Sequence, residues 1–350
     1  MEASRGYYER GIAELIGGRY LCGMISLGKV FRKYTGTLRQ FKVLYVVNNW
    51  LNRRQLRHNR SLYKKYGLQK SILGSIGSKD FQPHHQGVPW LDRPNAKEAL
   101  QAHPDFHALN QDQRTELLRF VEDGYLILKG FFSEEAVDQL NTEVDQLLAK
   151  DQLDFNYTGR KIMESFKVSP TANAFFREPR LINLLNFIMG KPVIPFHTIN
   201  FIEGSEQRAH SDSIHMTTEP QGYLIAAWIA LEDIGPTQGP LVYYPKSHRL
   251  PYITTEDYSS GHTPWRLGSF ANKRFEDKIE KVVEEHGFTP EIFEAKKGDV
   301  LLWHANLIHG GTAISAPGAT RKSMVAHYFC EEVICYHEIS QRPAFLPSPT

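Results

Sequence analysis

Residues 208–217 read RAHSDSIHMT, a stretch of ten positions that holds two histidines, an aspartate and two serines. In an extended chain alternate side chains share a face, so His210 and Asp212 would lie side by side while Ser211 points away. An imidazole nitrogen and a carboxylate oxygen are two of the three ligands of a 2-His-1-carboxylate metal site. The same pair is also common on polar loops, where the two side chains only form a hydrogen bond. A metal site therefore needs another histidine from elsewhere in the chain.

A second stretch, GDVLLWHANLIHGGT (298–312), offers that partner. Its apolar run ends near Trp303, and the chain can turn at Gly310 and Gly311, so a histidine beside the turn could face the mouth of a barrel. His304 and His309 are the candidates. Further on comes Arg321, in front of another apolar run. An arginine at this position could hold a carboxylate through two parallel hydrogen bonds.

The pattern of short apolar runs predicts the fold class. Five runs rich in β-forming residues are separated mostly by turn residues: 193–204, 223–232, 241–245, 299–303 and 323–329. Helices are expected ahead of them over 111–122, 133–150 and 179–189, and one strand over 125–131. Such an order predicts a mostly β protein with flanking helices, whose core is a barrel or a double-sheet jelly roll. An insertion at about 252–296, with a helix over 276–286, has the length of a lid or binding loop.

Charge divides the chain into two parts. Residues 1–70 carry 15 Lys/Arg and 3 Asp/Glu, a local balance of +12, although the whole chain has a net charge of only +2. We therefore predict a basic N-terminal arm and linker over 1–98, partly helical, and a body over 99–350. Residues 10–33 have a basic amphipathic pattern, and a second basic helix is expected over 38–66.

A basic arm on an acidic body has two interpretations. The arm either contacts an anionic surface, such as a membrane face, a nucleic acid or an acidic partner, or packs on the acidic body itself. Basic patches interleaved with aromatic residues are too common to favour nucleic acid. The apolar clusters are too short for a transmembrane segment, and the first residues lack the apolar core of a secretory signal. Three cysteines without paired spacing indicate a reducing compartment, so we expect a cytoplasmic protein, with peripheral membrane contact as one alternative.

Four blocks between residues 196 and 329 resemble, in the same order, the phytanoyl-CoA dioxygenase family of Fe(II)- and 2-oxoglutarate-dependent oxygenases. The blocks are AHSDSIHM (209–216), WIALEDIGPTQGPLVYYPKSHR (228–249), GDVLLWHANLIHGGT (298–312) and Arg321 before the last apolar run. The resemblance implies a double-stranded β-helix, which is a cupin-like jelly roll. It also implies Fe(II) as cofactor, with 2-oxoglutarate and O₂ as cosubstrates.

The resemblance assigns roles to individual residues. It makes His210, Asp212 and His309 the iron ligands, and it makes Arg321 the partner of the distal carboxylate of 2-oxoglutarate. The histidine that precedes the glycine pair is the ligand in such proteins, which favours His309 over His304.

Three further positions follow from the same resemblance. Trp228 matches an aromatic residue that lies near the cosubstrate. The family often has serine two positions after the distal histidine, where this chain has Gly311, so Thr312 is the candidate for the missing hydroxyl. Asn200, on the preceding strand, is a candidate to reach the cosubstrate or the substrate.

The implied reaction is hydroxylation of an unactivated C–H bond in a small-molecule or lipid-type substrate, with release of succinate and CO₂. Related halogenases have glycine or alanine where this chain has Asp212, so the retained carboxylate favours hydroxylation. The alternative is a non-catalytic metal-binding or interaction protein on the same scaffold, with its basic arm on an anionic surface.

Overall fold

A computed structural model of the chain describes residues 40–81, 87–155 and 159–346. The helix expected over 10–33 lies outside the described residues. The helices are α1 (Lys42–Leu51), α2 (Asn59–Lys65), α3 (Ala96–Ala102), α4 (Pro104–Ala108), α5 (Gln111–Asp123), α6 (Glu134–Ala149), α7 (Pro170–Phe176), α8 (Pro179–Met189) and α9 (Ala271–His286). Every helix within these ranges is too short or too polar to cross a lipid bilayer.

The strands are mostly short. They are β1 (Tyr125–Leu128), β2 (Lys161–Met163), β3 (Val193–Phe201), β4 (Thr217–Glu219), β5 (Leu224–Ala230), β6 (Leu241–Tyr243), β7 (Glu291–Phe293), β8 (Val300–His304), β9 (His309–Gly311), β10 (Ser323–Cys330), β11 (Ile334–His337) and β12 (Arg342–Pro343). The longer ones are the runs that the sequence predicted.

Two antiparallel sheets face each other. The large sheet has the order β1-β8-β5-β10-β3-β2, and the small one has the order β7-β6-β9. One face of the large sheet packs on α5, α6, α7 and α8, and the other face packs on the small sheet. The mostly β fold with flanking helices and a jelly-roll core is therefore confirmed. A third sheet, β12-β11-β4, lies beside them.

The sequence of strand β5 is a continuous apolar run, and the structure shows why. All seven of its residues are buried, because both faces of the large sheet are covered. Ala226 and Trp228 point into the core between the two sheets, whereas Ile225 and Ile229 point toward the helices. This alternation decides which side chains of each strand can reach the interior of the jelly roll.

The helix ends follow local chemistry. Asn110 and Gln113 form a reciprocal capping box at the start of α5, and Gly124 ends that helix in a left-handed conformation. Helix α9 begins five residues before the predicted position 276, because Phe275 and Ile279 pack against the loop and strand that flank the jelly-roll mouth. Strand β7 also falls within the expected insertion and pairs with β6, so the insertion contributes a strand to the small sheet.

The prediction of one basic helix over 38–66 is wrong in one respect, because this segment forms two helices. A 3₁₀ turn at Arg53–Leu56 separates α1 from α2, and this turn buries Leu56 completely. Beyond it, Tyr63 packs with Ile334 and Tyr336 of β11. The described part of the arm therefore contacts the body, through α1 as well as beyond it.

Candidate active site

An antiparallel backbone contact brings His210 and His309 together. The N–H of each residue donates to the carbonyl of the other, at 2.9 Å in both directions. His309 opens β9, and two residues after His210 the chain enters a 3₁₀ turn at Asp212–Ile214. The extended stretch expected around His210 therefore ends at Asp212, and the turn directs that carboxylate toward both imidazoles.

The three side chains converge on one point. Oδ1 of Asp212 lies 3.9 Å from Nε2 of His210 and 3.8 Å from Nε2 of His309. All three ligand atoms lie within 4.8 Å of one another, and all three residues are buried. Two nitrogen donors and one carboxylate oxygen in this arrangement suit a divalent transition metal with open coordination positions. The residues present therefore fit Fe(II).

Backbone carbonyls fix the tautomer of each histidine. Nδ1 of His210 lies 2.8 Å from the carbonyl of Arg208, and Nδ1 of His309 lies 3.0 Å from the carbonyl of Leu307. A carbonyl can only accept, so each Nδ1 carries the proton and each Nε2 presents its lone pair to Asp212. Both imidazoles are thus set up as neutral ligands.

The charges in the site follow from burial. Burial, reinforced by the neighbouring His309, lowers the pKa of His210 well below its usual value, so this imidazole is neutral. Burial alone would raise the pKa of Asp212, but the imidazoles of His309, His327 and His210 outweigh it and hold the pKa well below its usual value. The site therefore combines neutral imidazole and ionised carboxylate at neutral pH.

Two residues hold the second oxygen of Asp212. Nε1 of Trp303 donates to Oδ2 at 2.8 Å, and Nε2 of His327 lies 3.4 Å from the same oxygen. Oδ1 is left facing the two histidines. His327 pairs across the strands with His197, which in turn contacts the carboxylate of Glu164. A chain of polar groups therefore runs from the triad across β10 and β3.

Arg321 is a buried cation, and two of its three side-chain nitrogens lack hydrogen-bond partners among the described residues. Its side chain is 2% exposed, and Nε and Nη1 have no hydrogen-bond partner within residues 40–81, 87–155 and 159–346. Burial lowers its pKa to about 10, so it remains a cation at neutral pH. The residue lies two positions before β10 rather than on the strand, and its N–H donates to the carbonyl of Ile202. A buried guanidinium in this state fits the carboxylate of a ligand such as 2-oxoglutarate.

Glycines make room for this guanidinium. An added Cβ at Gly204 would lie 2.5 Å from Nε of Arg321, and Gly204 also has a φ of +69°. An added Cβ at Gly311 would lie 2.9 Å from Oγ of Ser205 and 3.6 Å from Nη2 of Arg321. Ser205 therefore places a hydroxyl next to the position where a residue-311 side chain would begin.

The hydroxyl of Thr312 points elsewhere. It donates to the carbonyl of Pro240 at 2.9 Å, and the N–H of Thr312 donates to the same carbonyl. A cosubstrate role for Thr312 remains a prediction, and the hydroxyl that lies next to Gly311 is that of Ser205. The sequence missed Ser205 because it lies three residues before the RAHSDSIHMT stretch, in a loop without a motif.

Trp228 and Asn200 lie on opposite faces of the large sheet. Trp228 is buried between the two sheets, where its ring meets Phe293 edge to face. Asn200 pairs across the strands with Met324 and Ile162, which belong to the core on the helix side. Its Oδ1 accepts from the hydroxyl of Ser165. This register places Asn200 on the helix side of the large sheet, because a strand sends alternate residues to opposite faces. A role for Asn200 toward the cosubstrate or the substrate stays a prediction.

Lys161 of β2 is a further charged group near the triad. Its Nζ donates to Oε1 of Gln207 at 3.1 Å. Burial lowers the pKa of Lys161, and the charge of Asp212 acts in the opposite direction. Lys161, Trp303 and His327 were not assigned to the site from the sequence. Of the three, only Trp303 gave a signal, since it lies six residues before His309 in the same quoted block.

The match to known proteins covers the same region. Residues 120–323 match the family model of phytanoyl-CoA dioxygenase (PhyH). The chain is 27% identical over 284 residues to the ectoine dioxygenase of Halomonas elongata, covering 74% of this chain and 82% of that protein. It is 22% identical over 298 residues to the peroxisomal phytanoyl-CoA dioxygenase of Rattus norvegicus, covering 76% and 83%.

A solved structure has the same fold. The crystal structure of EctD from S. alaskensis with 2-oxoglutarate and 5-hydroxyectoine superposes with a TM-score of 0.51 at 22% identity, covering 69% of this chain and 84% of that one. The family model spans more than half of the chain and includes the triad and Arg321. The chain belongs to the phytanoyl-CoA dioxygenase family and is a 2-oxoglutarate-dependent dioxygenase.

Proposed function

We propose that this dioxygenase hydroxylates an unactivated C–H bond, with Fe(II) held by His210, Asp212 and His309. The observation that carries the proposal is the buried triad combined with the buried guanidinium of Arg321, of which Nε and Nη1 have no hydrogen-bond partner in the described part of the chain. When bound, ferrous iron with 2-oxoglutarate and O₂ supplies the oxidation, and 2-oxoglutarate leaves as succinate and CO₂. The carboxylate of Asp212 favours oxygen transfer over halogenation, and a chlorinated product would contradict this part of the proposal.

Residues of the chain orient the cosubstrate and the metal ligands and exclude water from the site. Arg321 binds the distal carboxylate of 2-oxoglutarate, and loss of its buried charge would leave that carboxylate without its partner. Trp303 and His327 hold Asp212 so that one oxygen stays available to the metal. Trp228, in the apolar core between the sheets, keeps water away from this end of the site.

Succinate formation tests the catalytic proposal. Purified protein is given Fe(II), 2-oxoglutarate and cell extracts, and succinate is measured for the wild type, His210→Ala and the exposed-residue control His286→Ala. We expect turnover in the wild type and the control and none in His210→Ala. Arg321→Gln should raise the KM for 2-oxoglutarate more than it lowers kcat. Iron binding without any succinate would favour the non-catalytic alternative.

The substrate class that we propose is a small molecule or a lipid-type compound. The relatives support this range, because one is named for ectoine and another for phytanoyl-CoA. Mass spectrometry distinguishes a small-molecule substrate from a lipid-type one. Soluble and membrane extracts are treated with the enzyme and searched for products that gain one oxygen atom. Products confined to the membrane extract would assign a lipid-type substrate.

The place of action that we propose is the cytoplasm, with peripheral contact between residues 1–70 and an anionic membrane. The balance of +12 in these residues supports the contact. Fractionation of cells into soluble and membrane pools, with and without a salt wash, tests it. A protein that stays in the soluble pool at low salt would contradict the contact.

A further inference from the structure

Helix α1 has its polar face toward the body and its apolar face toward solvent. Nζ of Lys42 donates to Oε1 of Gln341 at 2.6 Å, and Nδ2 of Asn49 donates to the carbonyl of Leu73 at 2.9 Å. Both Lys42 and Asn49 are buried. The opposite face exposes six large apolar side chains: Val43, Leu44, Val46, Val47, Trp50 and Leu51. An ordinary surface helix has the reverse arrangement, so this face is built for a partner.

A loop residue extends the apolar surface. Trp265 is 78% exposed, and its carbonyl accepts from the N–H of Lys42 at the start of α1. Two exposed tryptophans therefore belong to this region, Trp50 within α1 and Trp265 at the start of the helix. Tryptophan is the side chain that concentrates at the boundary between lipid headgroups and acyl chains.

A basic cavity follows directly after α1. It has a volume of about 450 Å³ and is lined by Arg53, Arg60, Lys64 and Lys70, together with apolar side chains. Lys70 pairs with Asp80, whereas Arg53, Arg60 and Lys64 have no carboxylate partner among the described residues. The buried Tyr63 also lines the cavity, and within the same described ranges its hydroxyl has no hydrogen-bond partner. Cations and a spare hydroxyl are groups that bind phosphate.

We infer that α1, Trp265 and the basic cavity together form a docking surface for an anionic phospholipid membrane. The apolar face of α1 enters the headgroup boundary, and the cavity takes a lipid phosphate. This inference assigns residues and a phosphate-binding cavity to the peripheral contact proposed above and rests on that proposal, but not on the hydroxylase activity.

Charge indicates which partner can bind the apolar face of α1 and the basic cavity. Residues 15–79 contain no aspartate or glutamate, so neither α1 nor the lining of the cavity includes an acidic side chain, and Asp80 offsets only Lys70. A second copy would bring the same cations into contact with these, and residues 1–39 carry seven more Lys/Arg against three Glu. A second copy and the segment 1–39 would therefore both be repelled by this surface. An anionic membrane, in contrast, attracts each Lys or Arg that comes near it.

Vesicle sedimentation with the full-length chain tests the inference. Vesicles of phosphatidylcholine alone are compared with vesicles that also contain phosphatidylglycerol. We expect binding to the anionic vesicles, weakened at high salt, and far less binding to the neutral ones. Trp50→Glu should reduce binding at least about tenfold, because a charge replaces an apolar anchor at the interface. Arg60→Ala with Lys64→Ala should reduce it by roughly fivefold for each cation removed.

Matched controls keep the result specific. Ile292→Glu adds the same charge at another exposed apolar position, and Lys273→Ala with Lys281→Ala removes two cations spaced on α9. Both should bind like the wild type.

Equal binding to both kinds of vesicle, or none to either at low salt, would overturn the inference. So would a dimer that Trp50→Glu dissociates, since the face would then belong to a second copy. Succinate formation with soluble substrate is measured in parallel, so failure of docking and failure of the hydroxylase proposal are told apart.

Discussion

Gly311 and Ser205 show how single residues adjust the site. The resemblance predicts serine at position 311, and the chain instead has glycine there and a serine hydroxyl across from it. The N–H of Gln207 donates to Oγ of Ser205, which leaves the hydroxyl hydrogen available to a ligand near Arg321. We infer that Ser205, in the loop after β3, supplies the hydroxyl that the resemblance places at position 311 of β9.

Exchange of the two residues tests this inference. Ser205→Ala should raise the KM for 2-oxoglutarate roughly 10- to 100-fold with little change in kcat, because a hydrogen bond to a charged group is lost. Gly311→Ser alone should also impair binding, since its Cβ would lie 2.9 Å from Oγ of Ser205. The double variant Ser205→Gly, Gly311→Ser should recover most of the wild-type KM. An unchanged KM in Ser205→Ala would refute the role.

Trp303 gives a second prediction at the scale of one residue. Trp303→Phe keeps an aromatic ring but removes the donor to Oδ2 of Asp212. The affinity for Fe(II) should fall about 10- to 100-fold, as measured by metal titration of the apoprotein. Trp90→Phe is the matched control, because it removes an indole hydrogen bond to the carbonyl of Phe187. The control should lower the Tm without changing iron affinity, and equal affinity in both variants would contradict the prediction.

At the scale of elements, Glu338 joins three separate segments. Its carboxylate is fully buried and accepts from the N–H and hydroxyl of Ser78, at 2.9 and 2.7 Å. It also accepts from the N–H and hydroxyl of Thr255. Ser78 belongs to the N-terminal segment and Thr255 to the insertion, so one side chain ties both to the turn after β11.

Removal of this carboxylate should therefore loosen two elements together. Glu338→Ala leaves several buried donors without an acceptor and should lower the free energy of unfolding by about 3–5 kcal/mol. Glu338→Gln should cost less, because it keeps one acceptor oxygen. Urea unfolding measures the change, with the exposed Glu331→Ala as control. A loss of under about 1 kcal/mol in Glu338→Ala would show that the donors find other partners.

Four of the strands that the sequence missed share a physical feature. Strands β2, β4, β7 and β9 have three residues each, which is too short for an alternating pattern to appear. They form because neighbouring strands supply hydrogen-bond partners. Long elements such as α5 and β10 were predicted because their caps and apolar periods lie within a single stretch of sequence.

At the scale of the whole molecule, buried histidines make stability depend on pH. Burial lowers the pKa of His248 and of His337 to about 3, against an ordinary value of about 6.5 in the unfolded chain. Between these values the unfolded chain binds more protons than the folded chain. The free energy of unfolding should therefore fall as the pH drops below about 6.5, by about 2 kcal/mol for each of the two histidines at pH 5.

Urea unfolding at about pH 7 and about pH 5 checks this dependence. His248→Gln should reduce the difference between the two pH values by about 2 kcal/mol, because glutamine does not take up a proton. The exposed His286→Gln should leave the difference as in the wild type. If the free energy of unfolding fell by the same amount in the wild type and in His248→Gln, other groups would control the acid sensitivity.

The sequence by itself determined the order of long strands and helices, and the resemblance selected His210, Asp212, His309 and Arg321. Local periodicity and short motifs suffice for these, because each depends on neighbouring residues. The tertiary structure decided what no local pattern encodes: Trp303 against Asp212, Ser205 next to Gly311, and the outward apolar face of α1. These contacts join residues far apart in the chain, so they depend on strand register and on which face each element buries. The same register places Asn200 on the helix side of the large sheet, which its residue type could not reveal.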